Sequence, residues 1–479
     1  MTHPPRSIEA IRARLASVGQ EHLLRFWDQL TPDRQSNLVS ELERIDTSGL
    51  PRLIERYVHA KPEFALPERL SPAPYYPLDV NSTRKPWDRQ QFRSLGEQAL
   101  RRGKVACFTV AGGQGTRLGF NGPKGCFPAG AVTGKSLFAI FAEGIAGAER
   151  RYGQPVPWYI MTSPLNHDDT VEYFQRSYHF GLDPANIMFF PQGVMPSFDM
   201  TTGRILLAEP WQPATNPDGH GGSFKALWVS GAVADMKRRG IEHLSYFQVD
   251  NPMVRVIDPV FIGLHVGAAD SSAEMSSKML PKASPAEKVG VFCVGNGRTM
   301  IIEYSDLPST LAEQRLDDGS LRFNAGSPAI HMVGVSFIEK LNSDPAFELP
   351  FHRAEKKVSF IDDSGDRVNP EKPNAVKLER FVFDALPFCK ASIVMETSRD
   401  DEFAPIKNAS GDDSAQSSAR LQTRRAAAWF EQVGVRVPRR SDGEPDCTLE
   451  ISPLTAWGPE DLRGLDLPSV IEPGAKLAI

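Results

Sequence analysis

The first residues that could do chemistry form a glycine-rich loop directly after a short apolar segment. The apolar run Val105–Val110 leads into the loop Ala111–Gly119, which holds four glycines, and Lys124 follows shortly after. Glycines let the backbone wrap closely around a phosphate, and the loop amides can donate hydrogen bonds to its oxygens. Arg117 and Lys124 add the positive charge that glycines lack. The segment therefore predicts a phosphate-binding loop.

Two other interpretations of this region depend on spacing. The dinucleotide-binding fingerprint Gly-x-Gly-x-x-Gly is not met, because Leu118 stands where the third glycine belongs. A tight turn with a purely structural role stays open for the loop. The later segment Gly134-Lys135-Ser136 is similar to the end of a Walker A loop, but position 129 is an alanine instead of the required glycine. We expect that segment to start a helix.

A carboxylate follows another predicted strand. Asp250 comes directly after the apolar segment Leu244–Val249. In an open α/β sheet, ligands bind beside the carboxyl ends of the strands, so Asp250 is expected in the ligand crevice. Mg²⁺ prefers oxygen ligands and typically takes one or two protein carboxylates beside the phosphates of a substrate. Asp250 is therefore a predicted Mg²⁺ ligand, with a turn or helix-capping aspartate as the alternative.

Short apolar strands alternate with helices around these residues. The predicted strands are Val105–Val110, Trp158–Thr162, Ile187–Phe190 and Leu244–Val249, and the predicted helices are Ser136–Arg151, His167–Phe180 and Ser223–Arg239. This alternation is typical of a three-layer domain whose strands run parallel. We expect the α/β class, with a central mixed, largely parallel, Rossmann-like sheet flanked by helices.

Outside this alternation the sequence predicts smaller additions. Apolar residues between Ser7 and Leu30 recur at helical spacing, and Thr31-Pro32-Asp33 is typical of a helix start. The stretch Pro67–Pro77 is predicted to be a surface linker. Gly295-Asn296-Gly297 favours a hairpin between strands Val289–Val294 and Thr299–Tyr304.

The C-terminal boundary is predicted from composition. Residues 410–418 are rich in Asp, Ser and Gly, which favours a flexible link. We therefore expect three parts: a helical N-terminal region at 1–99, a central domain at 100–409 and a small C-terminal domain at 410–479.

Composition argues against several classes of protein. The formal charge of -5 lacks the basic excess of a nucleic-acid-binding protein, so no nucleic-acid partner is expected. No run approaches the roughly 18 apolar residues of a membrane span, so we expect a cytoplasmic protein without a membrane partner. The five cysteines are scattered without a Cys-x-x-Cys pair, and no His-x-x-x-His pair occurs. Neither a disulfide framework nor a transition-metal site is expected.

Together these motifs resemble the UDP-sugar pyrophosphorylase family, most closely its eukaryotic-type UDP-N-acetylglucosamine pyrophosphorylases. The resemblance covers residues 100–420. Besides the glycine loop, the matching blocks are Phe189–Gly193, Pro217–Gly222, Val249–Asn251, Val289–Val291, Glu303–Ser305, Asn324–Gly326, Lys372–Asn374, Phe381–Asp384 and Asp401–Asn408. The resemblance implies a nucleotidyltransferase sheet and a Mg²⁺-dependent uridylyltransferase. Its substrates would be UTP and a sugar 1-phosphate, and its products a UDP-sugar and pyrophosphate.

The resemblance also implies a role for each matching residue. The ribose and phosphates of the nucleotide would contact the loop residues Gly112, Gly113, Gln114, Gly115 and Thr116. The uracil edge would contact Gln192 and Gly219. Asp250 would hold Mg²⁺ beside the nucleotide. The catalytic cations would be Arg117, Lys124 and Lys407. The sugar 1-phosphate would contact His220, Gly290, Glu303, Asn324, Gly326, Phe381 and Phe383. For Glu303, Phe381 and Phe383, plain strand positions remain the alternative.

Alternatives remain for the sugar substrate and for the class of protein. The blocks at Asn324–Gly326 and Phe381–Phe383 favour N-acetylglucosamine 1-phosphate, whereas His220 stands where that branch usually has asparagine and favours glucose 1-phosphate. A broad UDP-sugar pyrophosphorylase is a further alternative. A nucleotide-sugar sensor without turnover is disfavoured because Arg117 and the other catalytic charges are retained. A dinucleotide-dependent oxidoreductase is disfavoured by the glycine spacing.

Overall fold

The chain folds into two compact units, each gathered from separate stretches. The computed structural model describes residues 7–62, 64–344 and 347–479. Unit 1 combines Met1–Ala65, Gln192–Ser223 and Glu348–Asp384, and unit 2 combines Leu66–Pro191, Phe224–Phe347 and Ala385–Ile479. The three consecutive domains expected from the sequence stay a prediction. The two units group the chain differently because each joins stretches that are distant in sequence.

The strands are short and most belong to unit 2. In chain order they are β1 (Leu70–Pro72), β2 (Val105–Val110), β3 (Trp158–Thr162), β4 (Ile187–Pro191), β5 (Val194–Pro196), β6 (Phe198–Asp199), β7 (Leu207–Glu209), β8 (Gln212–Pro213), β9 (Thr215–Pro217), β10 (His243–Gln248), β11 (Met275–Pro281), β12 (Val291–Gly295), β13 (Arg298–Ile302), β14 (Ala325–Gly326), β15 (His331–Gly334), β16 (His352–Lys356), β17 (Phe360–Ile361), β18 (Arg367–Val368), β19 (Ala375–Glu379), β20 (Val394–Glu396), β21 (Thr448–Glu450) and β22 (Lys476–Ala478).

The helices flank these strands. The α-helices are α1 (Ile8–Ala16), α2 (Pro32–Arg44), α3 (Leu50–Leu53), α4 (Arg89–Arg101), α5 (Leu137–Tyr152), α6 (His167–Arg176), α7 (Ser223–Val229), α8 (Ala232–Arg239), α9 (Pro259–Gly267), α10 (Ser309–Ala312), α11 (Val335–Ser343), α12 (Arg399–Glu402) and α13 (Ala415–Gln432). A π-helix spans Ile54–His59, and short 3₁₀ turns include Thr116–Leu118, His220–Gly222 and Val382–Phe388.

Unit 2 is built on one eleven-stranded sheet. Its strand order is β1-β12-β14-β11-β15-β10-β2-β3-β4, with β13 paired to β12 and β20 paired to β11. The strands β10, β2, β3 and β4 run parallel, as predicted, and β2 and β3 have the predicted bounds. This parallel part brings the ends of β2 and β10, which precede the glycine loop and Asp250, to the same edge.

The prediction of a largely parallel sheet is wrong for the sheet as a whole, which is mixed. From β10 through β15, β11, β14 and β12 to β1, every neighbouring pair is antiparallel. The predicted hairpin accounts for a further antiparallel pair, because Asn296 and Gly297 both have positive φ and turn β12 directly into β13. Such short connections allow antiparallel pairing only, whereas parallel strands need a crossover.

Several predicted helices are shorter than expected. The helix predicted from Ser7 to Leu30 ends at Ala16, because Gly19 at φ 69° turns the chain into short 3₁₀ segments. The helix predicted over 223–239 is interrupted at Gly231, where φ is 82°. The helix predicted over 167–180 ends at Arg176 and is followed by three residues with positive φ. In each case a left-handed backbone conformation ends the helix.

Two predicted linkers are partly ordered elements of unit 2. The stretch 67–77 contains β1, and its Tyr76 is buried and donates from its hydroxyl to Asp270 at 2.5 Å. In the stretch 410–418, Ser414 and Ser417 form a capping box that starts α13, so only the residues before Ser414 form a turn. No helix in the described ranges is long and apolar enough to cross a membrane.

Unit 1 has its own hydrophobic core. The N-terminal helices contribute residues such as Ile11 and Leu38, which cluster with Phe198 of β6 and with Val376 and Leu378 of β19. The strands β16, β19 and β6 form a three-stranded antiparallel sheet beside this cluster. Residues far apart in sequence therefore share one core.

Candidate functional site

The glycine loop is held in shape by backbone contacts within unit 2. The Gly115 amide donates to the Gly122 carbonyl at 2.9 Å, and the Lys124 amide donates to the Gly113 carbonyl at 3.0 Å. A Cβ at Gly115 would lie 2.7 Å from the ring of Phe120, so a glycine is required there. Gly113 is exposed, and a Cβ there would meet no atom closer than 3.8 Å. The loop thus leaves open space in front of its backbone, as a bound phosphate needs.

Asn166 fixes this loop and was not recognised from the sequence. Its Nδ2 donates to the carbonyls of Ala111 at 3.1 Å and Gly113 at 3.2 Å, and its Oδ1 accepts from the Ser163 amide at 2.7 Å. The side chain is fully buried. Its position just before α6 suggests an ordinary helix cap, but it makes no capping bond. In the sequence, Asn166 therefore resembles an ordinary helix cap, and its hydrogen bonds to the glycine loop cannot be predicted.

Lys124 and Asp250 meet at the edge where β2 and β10 end. The distance from Lys124 Nζ to Asp250 Oδ2 is 3.5 Å, and the side chains are 14% and 15% exposed. Arg117 lies on the 3₁₀ turn Thr116–Leu118 and is exposed to solvent. Within the described parts of the chain, no hydrogen bond or ion pair engages its guanidinium. One edge of unit 2 thus carries the solvent-exposed Arg117 and the ion pair of Lys124 with Asp250.

Lys407 is brought to Asp250 by backbone pairing. The Ile406 amide donates to the Asp250 carbonyl at 2.8 Å, and the Lys407 amide donates to the Asp413 carbonyl at 2.6 Å. The side chain of Lys407 is exposed. Burial raises the pKa of Asp413 above its ordinary value, the charge of Lys407 opposes this rise, and the charge of Asp250 adds to it. The two backbone bonds thus hold the segment that carries Lys407 against Asp250 and Asp413.

Four predicted sugar-binding residues also gather within unit 2. Gly290 precedes β12, and a Cβ there would lie 3.0 Å from the Oε1 of Glu303. The Asn324 carbonyl accepts from the Gly326 amide at 3.0 Å and from the Lys282 amide at 2.9 Å. Strand β13 ends at Ile302, so the predicted strand through Tyr304 is too long and Glu303 lies beyond it. The strand alternative for Glu303 is therefore wrong, whereas its contact with sugar stays a prediction.

Lys282 is a further cation beside these residues that the sequence did not single out. Its side chain is largely buried, its Nζ donates to the Pro285 carbonyl at 3.1 Å, and burial lowers its pKa. A lysine after a strand has no distinctive sequence signal, because most such lysines are solvated.

Gln192 and Gly219, the residues predicted to bind the base, lie on unit 1. Gln192 is buried. Gly219 has φ 84°, and a Cβ there would lie 2.4 Å from the Arg380 carbonyl oxygen, so no other residue fits. Between them, the Asp218 carboxylate lies against Gly193 and Gly222, where an added Cβ would fall within 2.6 Å of Asp218 Oδ2. Burial raises the pKa of Asp218 to about 6, although the charge of Arg380 opposes the shift.

His220 lies in a stack of aromatic rings on unit 1. Its ring is parallel to Phe381, with centroids 5.1 Å apart and an interplanar angle of 11°, and Phe381 stacks on His352 at 4.1 Å. Burial, together with the neighbouring His352, lowers the pKa of His220 to about 4. The Val382 amide donates to His220 Nδ1 at 3.1 Å. The neutral ring therefore carries its hydrogen on Nε2, which can act as a donor.

Phe381 and Phe383 surround this histidine. Phe383 is buried, with its centroid 5.7 Å from that of His220, and Phe381 is half-buried. Neither residue lies on a strand, because β19 ends at Glu379 and a 3₁₀ turn begins at Val382. The interpretation of both as alternate residues of a buried strand is wrong. Their aromatic faces form an apolar wall.

The predicted residues thus form two sets, one on each unit. The unit 2 set contains Gly112, Gly113, Gln114, Gly115, Thr116, Arg117, Lys124, Asp250, Gly290, Glu303, Asn324, Gly326 and Lys407, and the unit 1 set contains Gln192, Gly219, His220, Phe381 and Phe383. The described residues include no cluster of three or more His, Cys, Asp or Glu that could hold a metal ion. A single carboxylate at Asp250 fits Mg²⁺, which takes its other ligands from water and substrate phosphates.

The comparisons with known proteins cover almost the whole chain. The family model "UTP--glucose-1-phosphate uridylyltransferase" matches residues 78–425. The human protein "UDP-N-acetylhexosamine pyrophosphorylase-like protein 1" is 36% identical over 95% of this chain and 94% of its own length. The Saccharomyces cerevisiae "UDP-N-acetylglucosamine pyrophosphorylase" is 34% identical over 93% of this chain and 94% of its own.

A solved structure agrees with the fold. The uridine diphosphate N-acetylglucosamine pyrophosphorylase from Trypanosoma brucei, solved with an inhibitor, is 25% identical and superimposes with a TM-score of 0.80 over 98% of this chain and 99% of that protein. Sequence and fold therefore agree, and the chain belongs to the UTP--glucose-1-phosphate uridylyltransferase family.

Proposed function

We propose that this protein is a Mg²⁺-dependent uridylyltransferase that joins UTP to N-acetylglucosamine 1-phosphate and releases UDP-N-acetylglucosamine and pyrophosphate. The observation that carries the proposal is the meeting of Lys124 and Asp250, 3.5 Å apart, beside an amide-lined glycine loop. That arrangement offers backbone donors, a cation and a metal-binding carboxylate to a triphosphate. The names of the relatives from yeast and trypanosome support the choice of sugar.

The reaction needs no protein nucleophile. A phosphate oxygen of the sugar 1-phosphate attacks the α-phosphorus of UTP, forming a new P–O bond. The bond between the α-phosphorus and the bridging oxygen breaks, and that oxygen leaves with its electron pair as part of pyrophosphate. Since the attacking oxygen is already an anion, the barrier lies in bringing like charges together and stabilising the negative charge on the transferring group.

The cations of unit 2 meet that requirement. The loop amides and Lys124 bind phosphate oxygens, while the exposed Arg117 and Lys407 have charges available for the phosphoryl group. Mg²⁺ at Asp250 supplies Lewis-acid neutralisation of phosphate charge when bound. When the phosphates bind, Lys124 would exchange its contact with Asp250 for phosphate oxygens, which would leave the Asp250 carboxylate to hold Mg²⁺. The Lys124–Asp250 pair keeps both side chains oriented until then.

Base recognition is assigned to Gln192 and Gly219 on unit 1. The uracil edge carries one N–H donor between two carbonyl acceptors, a pattern that a glutamine amide and backbone groups can match. Adenine and guanine present a different order of donors and acceptors. A mismatched base would leave buried polar groups without partners, so UTP is the expected nucleotide.

The sugar choice depends on His220. Its Nδ1 already accepts a hydrogen bond, so the neutral ring offers a single donor at Nε2. An acetamido carbonyl is a good acceptor for such a donor, and the apolar wall of Phe381 and Phe383 suits the acetamido methyl group. Glucose 1-phosphate is the second candidate, because a C2 hydroxyl can also accept from Nε2.

A pyrophosphate-release assay tests the proposal. Purified protein is mixed with Mg²⁺, one nucleoside triphosphate and one sugar 1-phosphate, with UTP, ATP and GTP each tested against N-acetylglucosamine, glucose and galactose 1-phosphates. We expect the highest kcat/KM for UTP with N-acetylglucosamine 1-phosphate. Selectivity for glucose 1-phosphate would replace the sugar in the proposal, and absence of turnover with every pair would favour a sensor.

A further inference from the structure

A buried ionic cluster in unit 2 is hydrogen-bonded to the turn that follows Asp250. It contains Lys278 of β11, Glu402 of α12 and Asp258, which caps α9. Lys278 is fully buried, Glu402 is 1% exposed and Asp258 is 7% exposed. Lys278 Nζ lies 2.7 Å from each oxygen of Glu402 and 2.7 Å from Asp258 Oδ2. The opposing charges of Lys278 and Arg255 hold the pKa of Asp258 well below its usual range despite burial.

Glu402 has additional contacts that Asp258 lacks. Thr397 Oγ1 donates to Glu402 Oε2 at 2.6 Å, and the Arg255 amide donates to Oε1 at 3.1 Å. The backbone carbonyl of Glu402 accepts from Asn251 Nδ2 at 2.7 Å. One residue therefore holds the turn after β10 at both Asn251 and Arg255. Asp258, in contrast, binds Lys278 and the first amides of α9.

Asn251 connects this turn to the segment that carries Lys407. Its side chain is buried, and its Oδ1 accepts from the Ala404 amide at 3.0 Å and the Met253 amide at 3.1 Å. Two residues further along, Ile406 donates to the carbonyl of Asp250 at 2.8 Å. The residues adjacent to Asp250 and Lys407 are thus joined by buried hydrogen bonds.

We infer that Glu402 is a positioning residue for the reaction, which sets the separation of Asp250 and Lys407 through Asn251. The inference rests on the proposed uridylyltransferase function. A surface lysine such as Lys407 has many rotamers, so its ammonium is placed mainly by its backbone. A charged hydrogen-bond cluster with little solvent access resists displacement better than a surface turn. Glu402 touches no substrate and acts on rate only through the two segments it fixes.

The test compares Glu402→Gln with Asp258→Asn, which is a matched control. Each change replaces one buried carboxylate partner of Lys278 by an amide, and both leave the bond from Asn251 Nδ2 to the backbone carbonyl of Glu402 in place. Only the first changes the side-chain contacts with Thr397 and the Arg255 amide that anchor this carbonyl. Kinetics with UTP and N-acetylglucosamine 1-phosphate are measured beside urea unfolding of each variant. We expect kcat of Glu402→Gln to fall about tenfold to a hundredfold, the loss that follows from a misplacement of about 1 Å. Both KM values should change less than about threefold, and the Mg²⁺ concentration for half-maximal rate should rise.

For Asp258→Asn, kcat and the Mg²⁺ requirement should stay within about threefold of the parent. Equal losses of kcat in the two variants, or a loss explained by the fraction of unfolded protein, would overturn the inference. If Glu402→Gln does not fold, Asn251→Ala provides the second test, because it removes the side chain that joins the Glu402 carbonyl and the Ala404 amide without disturbing a buried charge. An unchanged kcat in a folded Asn251→Ala protein would also reject the inference. An inactive parent with every substrate pair would instead reject the proposed function itself.

Discussion

Replacing His220 by asparagine removes a half-buried imidazole from unit 1 and should change how stability responds to acid. Burial among Phe381, Phe383 and His352 lowers the pKa of His220 from 6.5 to about 4, and the charge of His352 adds to the effect. His352 itself is paired with Asp384, at 2.7 Å from Nε2 to Oδ2. The pKa of His220 is lower in the folded protein than in the unfolded chain. As pH falls, the unfolded chain therefore binds a proton at His220 at a higher pH than the folded protein does. The stability contributed by neutral His220 is present above pH 6.5 and is lost as pH falls towards 4.

The magnitude follows from the two pKa values. Between pH 7 and pH 5, the difference in proton binding at His220 lowers the free energy of unfolding by about 2 kcal/mol. Asparagine does not titrate, so this part of the loss should vanish in the variant. The lost ring stacking destabilises the variant equally at both pH values and cancels when the two pH responses are subtracted.

The assay is urea unfolding of parent and variant at pH 7 and pH 5, followed by hydrogen exchange of amides in unit 1. The parent should lose about 2 kcal/mol more than His220→Asn over this interval. His59→Asn is the control, since His59 is an exposed residue of the same unit. An equal pH response in parent and His220→Asn would refute the reasoning. So would an NMR titration in which the His220 imidazole gains its proton near pH 6.5.

The remaining predictions concern catalysis. Asp250→Asn should remove most turnover and raise the Mg²⁺ concentration that the enzyme requires, while circular dichroism shows that the protein stays folded. An unchanged rate at limiting Mg²⁺ would exclude Asp250 from metal binding. Arg117→Ala and Lys407→Ala should each lower kcat by roughly 10²-fold, the size found for losing one preorganised donor, and an effect on KM alone would make them simple binding groups. Gln192→Ala should reduce the preference for UTP over ATP in kcat/KM, and comparable use of ATP by the parent would contradict uridylyl transfer. His220→Asn should increase the preference for N-acetylglucosamine over glucose 1-phosphate, measured as a ratio of kcat/KM, because an amide offers the acetamido group both a donor and an acceptor where the imidazole offers a donor alone. An unchanged ratio would show that His220 is not the selector.

The parallel part of the sheet could be predicted from the sequence because its strands are uniformly apolar. Val105–Val110 and Trp158–Thr162 are almost entirely buried on both faces, and a buried strand reads as a continuous apolar run with clear ends. The glycine loop and Asp250 follow such strands, so their shared edge could be predicted too. The antiparallel half could not, because β14 has only two residues and its partners follow from tertiary contacts alone.

The supporting residues of the candidate site were not predictable for a different reason. Asn166, Lys278 and Glu402 act through buried hydrogen bonds to residues far along the chain. A polar residue in a sequence is interpreted by default as solvated, so a buried partner that lies 55 residues away for Asn166, or 124 residues away for Lys278, leaves no local signal. The aromatic wall at Phe381 shows the same limit, since only the structure distinguishes a turn from a strand there.

The assembly of unit 1 from three distant stretches has a consequence for the newly made chain. The N-terminal helices end before Ala60, but their core partners Val376 and Leu378 are synthesised roughly 300 residues later. At about 5–20 residues per second, the apolar faces of these helices wait on the order of 15 to 60 seconds for their final neighbours. During that interval the emerging chain presents leucine- and isoleucine-rich surface, which chaperones bind. Production of this protein in a heterologous host should therefore depend on chaperone supply.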